Sequence, residues 1–175
     1  MALTQVRPAG LDLRSGSIIQ VQYTQYTSAS TQSISSQTNT VLDNLSVSIT
    51  PTSTSSIIKL EAQVFFEPSN TTSEYNNVFF FYRDSTKLSH AADGVRAVGI
   101  VNSSTSFYSN NADSTPSVAN LAYYDTPSST SAISYKVGAW FYTAVTFSLN
   151  RTALDTNSAD YERGISLISA TEIAG

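Results

Sequence analysis

Residues 121–145, LAYYDTPSSTSAISYKVGAWFYTAV, contain two strand-like runs on either side of a polar segment. The central residues, DTPSST, are rich in the Asp, Pro and Ser that favour chain reversal. After them, residues 133–142 alternate with a two-residue period, which is typical of a β-strand with one buried face. This stretch predicts a β-hairpin, and no catalytic motif occurs in it.

The same period recurs along the chain. NLSVSIT (residues 44–50) and IIKLEAQVFFE (57–67) each place their apolar side chains on one face. SIIQVQY (17–23) repeats the pattern, with Ile19, Val21 and Tyr23 expected to face the core. Further candidates are AVGIV (97–101), SVANLAYY (117–124), VTFSLN (145–150) and GISLISATEI (164–173). With no helical pattern, these runs predict an all-β, antiparallel sandwich or jelly roll of eight to nine strands.

The stretch NNVFFFYRD (76–84) differs, because both of its faces are apolar. Either another element of the chain covers the second face, or a second subunit does. We favour the subunit. The expected contact surface consists of Phe79 and Phe81, joined by Trp140 and Tyr142.

The composition of the chain argues against several classes of partner and binding site. Only 13% of the residues are charged, whereas 30 are Ser and 21 are Thr, and the net charge of −4 argues against nucleic-acid binding. The chain has no Cys, so thiolate metal sites are excluded. No apolar run approaches the ~20 residues of a membrane span, so we expect no membrane insertion. One domain over residues 17–175 is expected, preceded by a short extended arm over 1–16.

The sequence offers few residues that could form a catalytic or metal site. His90 is the only histidine, and its setting KLSHAADG lacks a nucleophile motif. The acids are scattered, so a hydrolase with paired carboxylates is the least supported class. We therefore expect no enzyme, no metal and no cofactor. The aromatic residues are the remaining signal. Five tyrosines could present rings to a sugar or a protein, although we favour core packing over a glycan site for each single one: Tyr23, Tyr26, Tyr123, Tyr124 and Tyr142.

Several segments together resemble a family of phage virion proteins that is common in marine and cyanobacterial phages. The segments are GSIIQVQYTQYT, VLDNLSVSITPTSTSSIIKLEAQVFFE, VFFFYRDSTKLSHA, LAYYDTPSSTSAISYKV and RGISLISATEIAG. These family members are trimeric β-sandwich head domains, often at the ends of tail fibres. The resemblance implies a jelly roll of the tumour-necrosis-factor type with three subunits around an axis. It also implies structural roles for the residues that match its motifs: Arg83, Asp84, Asp125, Pro127, Tyr135, Lys136 and Glu172. Ser85 departs from the pattern, since Gly is usual there.

The expected function is non-enzymatic. No shaft-like region precedes the head, so we expect a homotrimeric decoration (cement) protein on the capsid, at the virion surface after assembly in the host cytoplasm. Its partners would be its own copies and the major capsid protein or a tail protein. The arm would anchor it through Leu3, Val6, Arg7, Leu11, Leu13 and Arg14. The alternative is a tail-fibre or tail-tip protein that recognises host surface glycans through loops near residues 102–116.

Overall fold

The computed structural model describes residues 14–69, 75–103 and 114–175. These residues form ten β-strands: β1 (Ile18–Tyr26), β2 (Ser30–Ile34), β3 (Thr40–Ile49), β4 (Ile57–Pro68), β5 (Asn77–Arg83), β6 (Thr86–Leu88), β7 (Ser117–Asp125), β8 (Ile133–Phe141), β9 (Val145–Leu149) and β10 (Ser166–Ile173). In the described part of the chain, no helix has the length and hydropathy needed to cross a bilayer.

The strands form two antiparallel sheets. In the first sheet the order is β1-β10-β4-β9-β2, and β7 pairs with the opposite edge of β4. In the second sheet the order is β3-β8-β5-β6. Because most connections pass from one sheet to the other, the sheets stack as a jelly roll, and the predicted fold class is confirmed.

The strand count and one segment differ from the prediction. The sequence pattern missed β2 and β6, which are short and mostly polar. Conversely, residues 97–101 form no strand and contribute only an isolated bridge between Phe79 and Val101. Short polar strands carry too little hydrophobic periodicity to be recognised, since their position is set by pairing with longer neighbours.

The predicted hairpin over residues 121–145 is wrong, although both of its strands exist. β7 pairs with β4 in the first sheet, whereas β8 pairs with β3 and β5 in the second. Residues 126–132 therefore connect the two sheets across the sandwich. A link of seven residues is long enough to cover the spacing of about 10 Å between packed sheets.

A cluster of phenylalanines lies between the sheets. The Phe66 ring centroid on β4 lies 4.8 Å from that of Phe79 on β5 and 5.2 Å from that of Phe147 on β9. Phe141 on β8 packs edge-on against Phe79 at 6.1 Å. The rings come from both sheets and are fully buried, so they join the two layers.

The location of this cluster corrects the expected subunit interface. Phe79 and Phe81 have no exposed surface and belong to the core, because their pairing with Ala139 and Val137 directs them toward the facing sheet. Trp140 and Tyr142 alternate with those partners and lie on the opposite face of β8. The four residues therefore cannot form one contact surface.

The second face of β5 is covered by the chain itself at Phe80. This ring has no exposed surface, and the Lys87 ammonium lies 3.9 Å from its centroid. Lys87 Nζ also donates to the carbonyl oxygen of Val98 at 2.7 Å, which holds it across the ring. On β8, Gly138 leaves the space that the Phe80 ring fills. The apolar character of both faces thus reflects internal packing at this position.

We expect Phe79→Ala and Phe81→Ala each to lower the free energy of unfolding by about 3–5 kcal/mol, because each leaves a cavity in the core. Chemical denaturation followed by far-UV circular dichroism measures this loss. As the matched aromatic control, Tyr142→Ala on the surface should cost less than about 1 kcal/mol. Equal losses in all three variants would contradict the placement of Phe79 and Phe81.

Candidate interaction face

Four strands of the first sheet present aligned rows of outward side chains. The rows are Val21–Thr171–Lys59–Tyr124, Tyr23–Ser169–Glu61–Ala122, Gln25–Leu167–Gln63–Asn120 and Phe65–Val118. We call this surface the first-sheet face. Its rows follow directly from the registers of β1, β10, β4 and β7, because cross-strand partners share a face.

The β1 side chains on this face were expected to point inward. Instead, Val21 is 51% exposed and Tyr23 is 73% exposed. The pairing of β1 with β10 shifts register between Ile18 and Gln20, and such an irregularity reverses the face that each later residue takes. Gln20 consequently turns inward, where its Nε2 donates to Glu172 at 2.6 Å. The polar residue is paired inside, and the apolar residues are left outside.

The first-sheet face is aromatic and nearly uncharged. On β7, at its other edge, Tyr124 is 61% exposed and Val118 is also exposed. Lys59 and Glu61 are the only charged residues in these rows, and they form an ion pair of 2.8 Å. A shallow depression of about 430 Å³ lies in the two middle rows, lined by residues that include Asn120, Ala122 and Ser169. Such a surface is suited to contact with another protein.

The carboxylate of Glu172 serves the structure. It is fully buried and accepts hydrogen bonds from the backbone N–H and hydroxyl of Thr52, from Ser56 Oγ and from Gln20, at 2.6–2.7 Å. Burial alone would raise the pKa of Glu172, but the donors together outweigh it and hold the pKa below its ordinary value. Glu172 therefore remains an anion that ties β10 to β1 and to the β3–β4 connection.

Two further buried acids are engaged in the same manner. Glu67 accepts from the Thr115 and Ala153 backbone N–H groups at 2.9 and 2.7 Å. Asp125 accepts from Arg83 Nη1 at 2.9 and 3.1 Å and from the Tyr135 hydroxyl at 2.7 Å. Burial raises the pKa of Tyr135, and its bond to Asp125 adds to that rise, so the phenol remains a donor. This last cluster joins β7 in the first sheet to β5 and β8 in the second.

The other motif residues lie on β8 and in the connections that adjoin it. Asp84 has a left-handed backbone, φ 53°, and its Oδ1 accepts from the Ser134 backbone N–H at 3.0 Å. Lys136 Nζ donates to the Asp84 carbonyl oxygen at 3.3 Å. Pro127 is half-buried in the connection between β7 and β8. These contacts organise the turn between β5 and β6 beside the start of β8.

The only histidine lies outside this face. His90 is exposed on a loop, and its Nδ1 lies 2.6 Å from the carbonyl oxygen of Ala91. Among residues 14–69, 75–103 and 114–175, no group of three or more His, Cys, Asp or Glu side chains could hold a metal ion. Of the expected anchoring residues, only Arg14 is described, and it is exposed. Leu3, Val6, Arg7, Leu11 and Leu13 lie outside the described residues, as do positions 104–113 of the expected glycan-binding loops.

The sequence signal that could have revealed this face is weak. Val21 and Tyr23 look like core residues by periodicity, and only the preceding glutamine with its distant Glu172 partner reverses their direction. Tyr124 stood among the tyrosines that could present a ring, but adjacent Tyr123 fits the same description. No known protein-family model matches the chain, and no curated protein matches it significantly.

Replacing Glu172 should remove a large part of the acid sensitivity of the fold. Because the folded-state pKa of this carboxyl is depressed, its stabilisation is present above its unfolded pKa and is lost as the pH falls through the folded value. We expect Glu172→Gln to cost about 2 kcal/mol near neutral pH, because an NH2 donor replaces one acceptor oxygen and the remaining hydrogen bonds lose their charge. Unfolding free energies measured from neutral pH down to the acid transition should fall less steeply in the variant. Parallel curves for the two proteins would contradict this role.

Proposed function

We propose that this chain is a non-enzymatic structural protein of a bacteriophage virion, and that it assembles as a homotrimer at the particle surface. Within that role we favour a capsid decoration protein whose N-terminal residues contact the major capsid protein. Support comes from the resemblance to phage head domains and from the structural use of the three buried acids. The observation that carries the proposal is the first-sheet face.

The size and composition of this face favour a protein partner. Its four strands and four rows span roughly 15 by 20 Å by the ordinary strand spacings. Seven of the fourteen row residues are apolar or aromatic, and exposed surfaces that carry such residues often mark interfaces. The Lys59–Glu61 pair compensates its own charge, so covering it leaves no unpaired ion. A second copy of the chain offers the same neutral, aromatic surface.

A threefold arrangement uses this face in every copy. Rotation about an axis in front of the sheet brings equivalent tyrosines of three subunits together, where large buried rings contribute most to binding. Obligate interfaces bury more than about 2,000 Å², which exceeds the flat face alone. The edge of β7 supplies additional contact area, since β7 pairs only with β4 among the described strands.

The charge substitutions Tyr23→Glu and Tyr124→Glu, made together, should convert the trimer to monomers, because buried carboxylates at the interface would be unpaired. Sedimentation equilibrium over a range of protein concentrations measures the mass of both proteins. Tyr142→Glu is the matched control, since it adds a charge at an exposed tyrosine on the other sheet and should leave the trimer intact. A monomeric parent protein, or dissociation in the control as well, would refute the use of this face.

The anchoring role of the N-terminal residues is tested in assembled particles. We expect the full-length variant with Leu3, Val6 and Leu11 replaced by Ser to remain trimeric but to lose its place on the capsid, since apolar anchors are removed. Occupancy is read from a density map of intact particles and from their protein composition. Normal occupancy of the variant would show that these residues do not anchor it, and density confined to the tail vertex would exclude capsid decoration.

A further inference from the structure

An exposed aromatic pair lies on the outer face of the second sheet, away from the first-sheet face. Trp140 is half-buried and Tyr142 is 51% exposed, and both project from the same side of the β8 end. Their ring centroids are 6.5 Å apart, with an interplanar angle of 59°. These two large rings leave apolar surface in contact with water and do not contribute to the core. This arrangement indicates a binding role.

The backbone beneath this pair is held in place on both sides. The Tyr142 N–H donates to the Asn76 carbonyl oxygen at 2.9 Å, and the Tyr142 carbonyl oxygen accepts from Ser36 Oγ at 2.8 Å. The Gln37 N–H donates to the carbonyl oxygen of Phe141 at 2.8 Å. Because β8 is fixed at this end by two different segments, little backbone ordering is needed when a ligand binds.

A depression begins beside the cross-strand partner of Trp140. Val78 is the cross-strand partner of Trp140 and also lines a depression of about 300 Å³ with His90 and Asn102. Asn102 Nδ2 donates to the carbonyl oxygens of Tyr75 and Asn77 at 2.8 and 2.6 Å, which leaves its Oδ1 to accept a hydrogen bond from a ligand. His90 Nδ1 faces the Ala91 carbonyl oxygen, so its Nε2 is the ring nitrogen left for a ligand.

The depression carries no uncompensated charge. Asp93 and Arg96 also line it, and they form an ion pair of 3.1 Å with each other. An anionic ligand such as a phosphate would find no free cation at these residues, and a cationic ligand would find no free acid. The site therefore combines an aromatic surface with neutral hydrogen-bonding groups.

We propose that Trp140 and Tyr142 bind a neutral saccharide. A pyranose has one face of C–H groups that packs on the electron-rich face of an aromatic ring, and a rim of hydroxyls that needs neutral donors and acceptors. Because the two rings are tilted by 59°, each would take the C–H face of a different sugar unit, and the hydroxyls would meet Asn102 and His90. This inference does not depend on trimer formation or on virion location, since it concerns the opposite sheet.

The single tryptophan makes the site directly observable. The full-length protein is titrated with a panel of neutral hexose oligosaccharides (gluco-, galacto- and manno-configured), and the intrinsic fluorescence of Trp140 is followed. We expect a saturable change with at least one of them. In isothermal titration calorimetry with that oligosaccharide, Tyr142→Ala and Trp140→Ala should weaken binding by about tenfold or more.

Two further variants distinguish stacking from a general effect on the fold. Tyr142→Phe keeps the ring and should retain binding, whereas Tyr124→Ala removes an exposed tyrosine from the first-sheet face and should leave binding unchanged. Absence of a response to every oligosaccharide would overturn the proposal, as would unaltered binding by Tyr142→Ala. So would a fluorescence change that depends only on protein concentration, because it would show that another copy covers Trp140. The oligomeric state, measured separately, tests the trimer independently of this result.

Discussion

The cluster of phenylalanine rings between the sheets is the contact on which the rest of the architecture depends. Phe66 and Phe147 come from the first sheet, and Phe79 and Phe141 come from the second. With charged residues at only 13% of the chain, few surface ion pairs are available to hold the layers together. Burial of these rings and of the aliphatic side chains around them therefore supplies most of the free energy that stacks the sheets.

The buried acids solve a problem that this packing creates. The connections that pass between the sheets bury some of their backbone N–H groups. Such donors need acceptors, because they no longer contact water. Glu172 and Glu67 accept from three of these backbone groups, at Thr52, Thr115 and Ala153. Ser and Thr hydroxyls donate further hydrogen bonds to these two carboxylates. The abundance of Ser and Thr in the sequence therefore serves the interior as well as the surface.

The sequence was sufficient to predict the class of fold. It did not reveal which face of β1 is buried or what covers the second face of β5. Alternation over residues 57–67 correctly placed Leu60 and Val64 in the core, because a long strand with one buried face carries a strong two-residue signal. It failed at β1, where a register irregularity and a partner more than a hundred residues away reverse the faces. It also failed at β5, since periodicity cannot tell a surface covered by Lys87 from one covered by another subunit.

The two outer faces of the sandwich are aromatic in different ways, and the difference bears on their partners. The first-sheet face is broad, shallow and continuous across four strands, which matches the flat, extended contact between protein subunits. The pair at Trp140 and Tyr142 is local, and the backbone beneath it is fixed. A depression that His90 and Asn102 help to line lies beside it, which matches a small ligand. Because the faces lie on opposite sheets, assembly through one leaves the other accessible. A module built in this way can be held in an oligomer and still present a binding site to its surroundings.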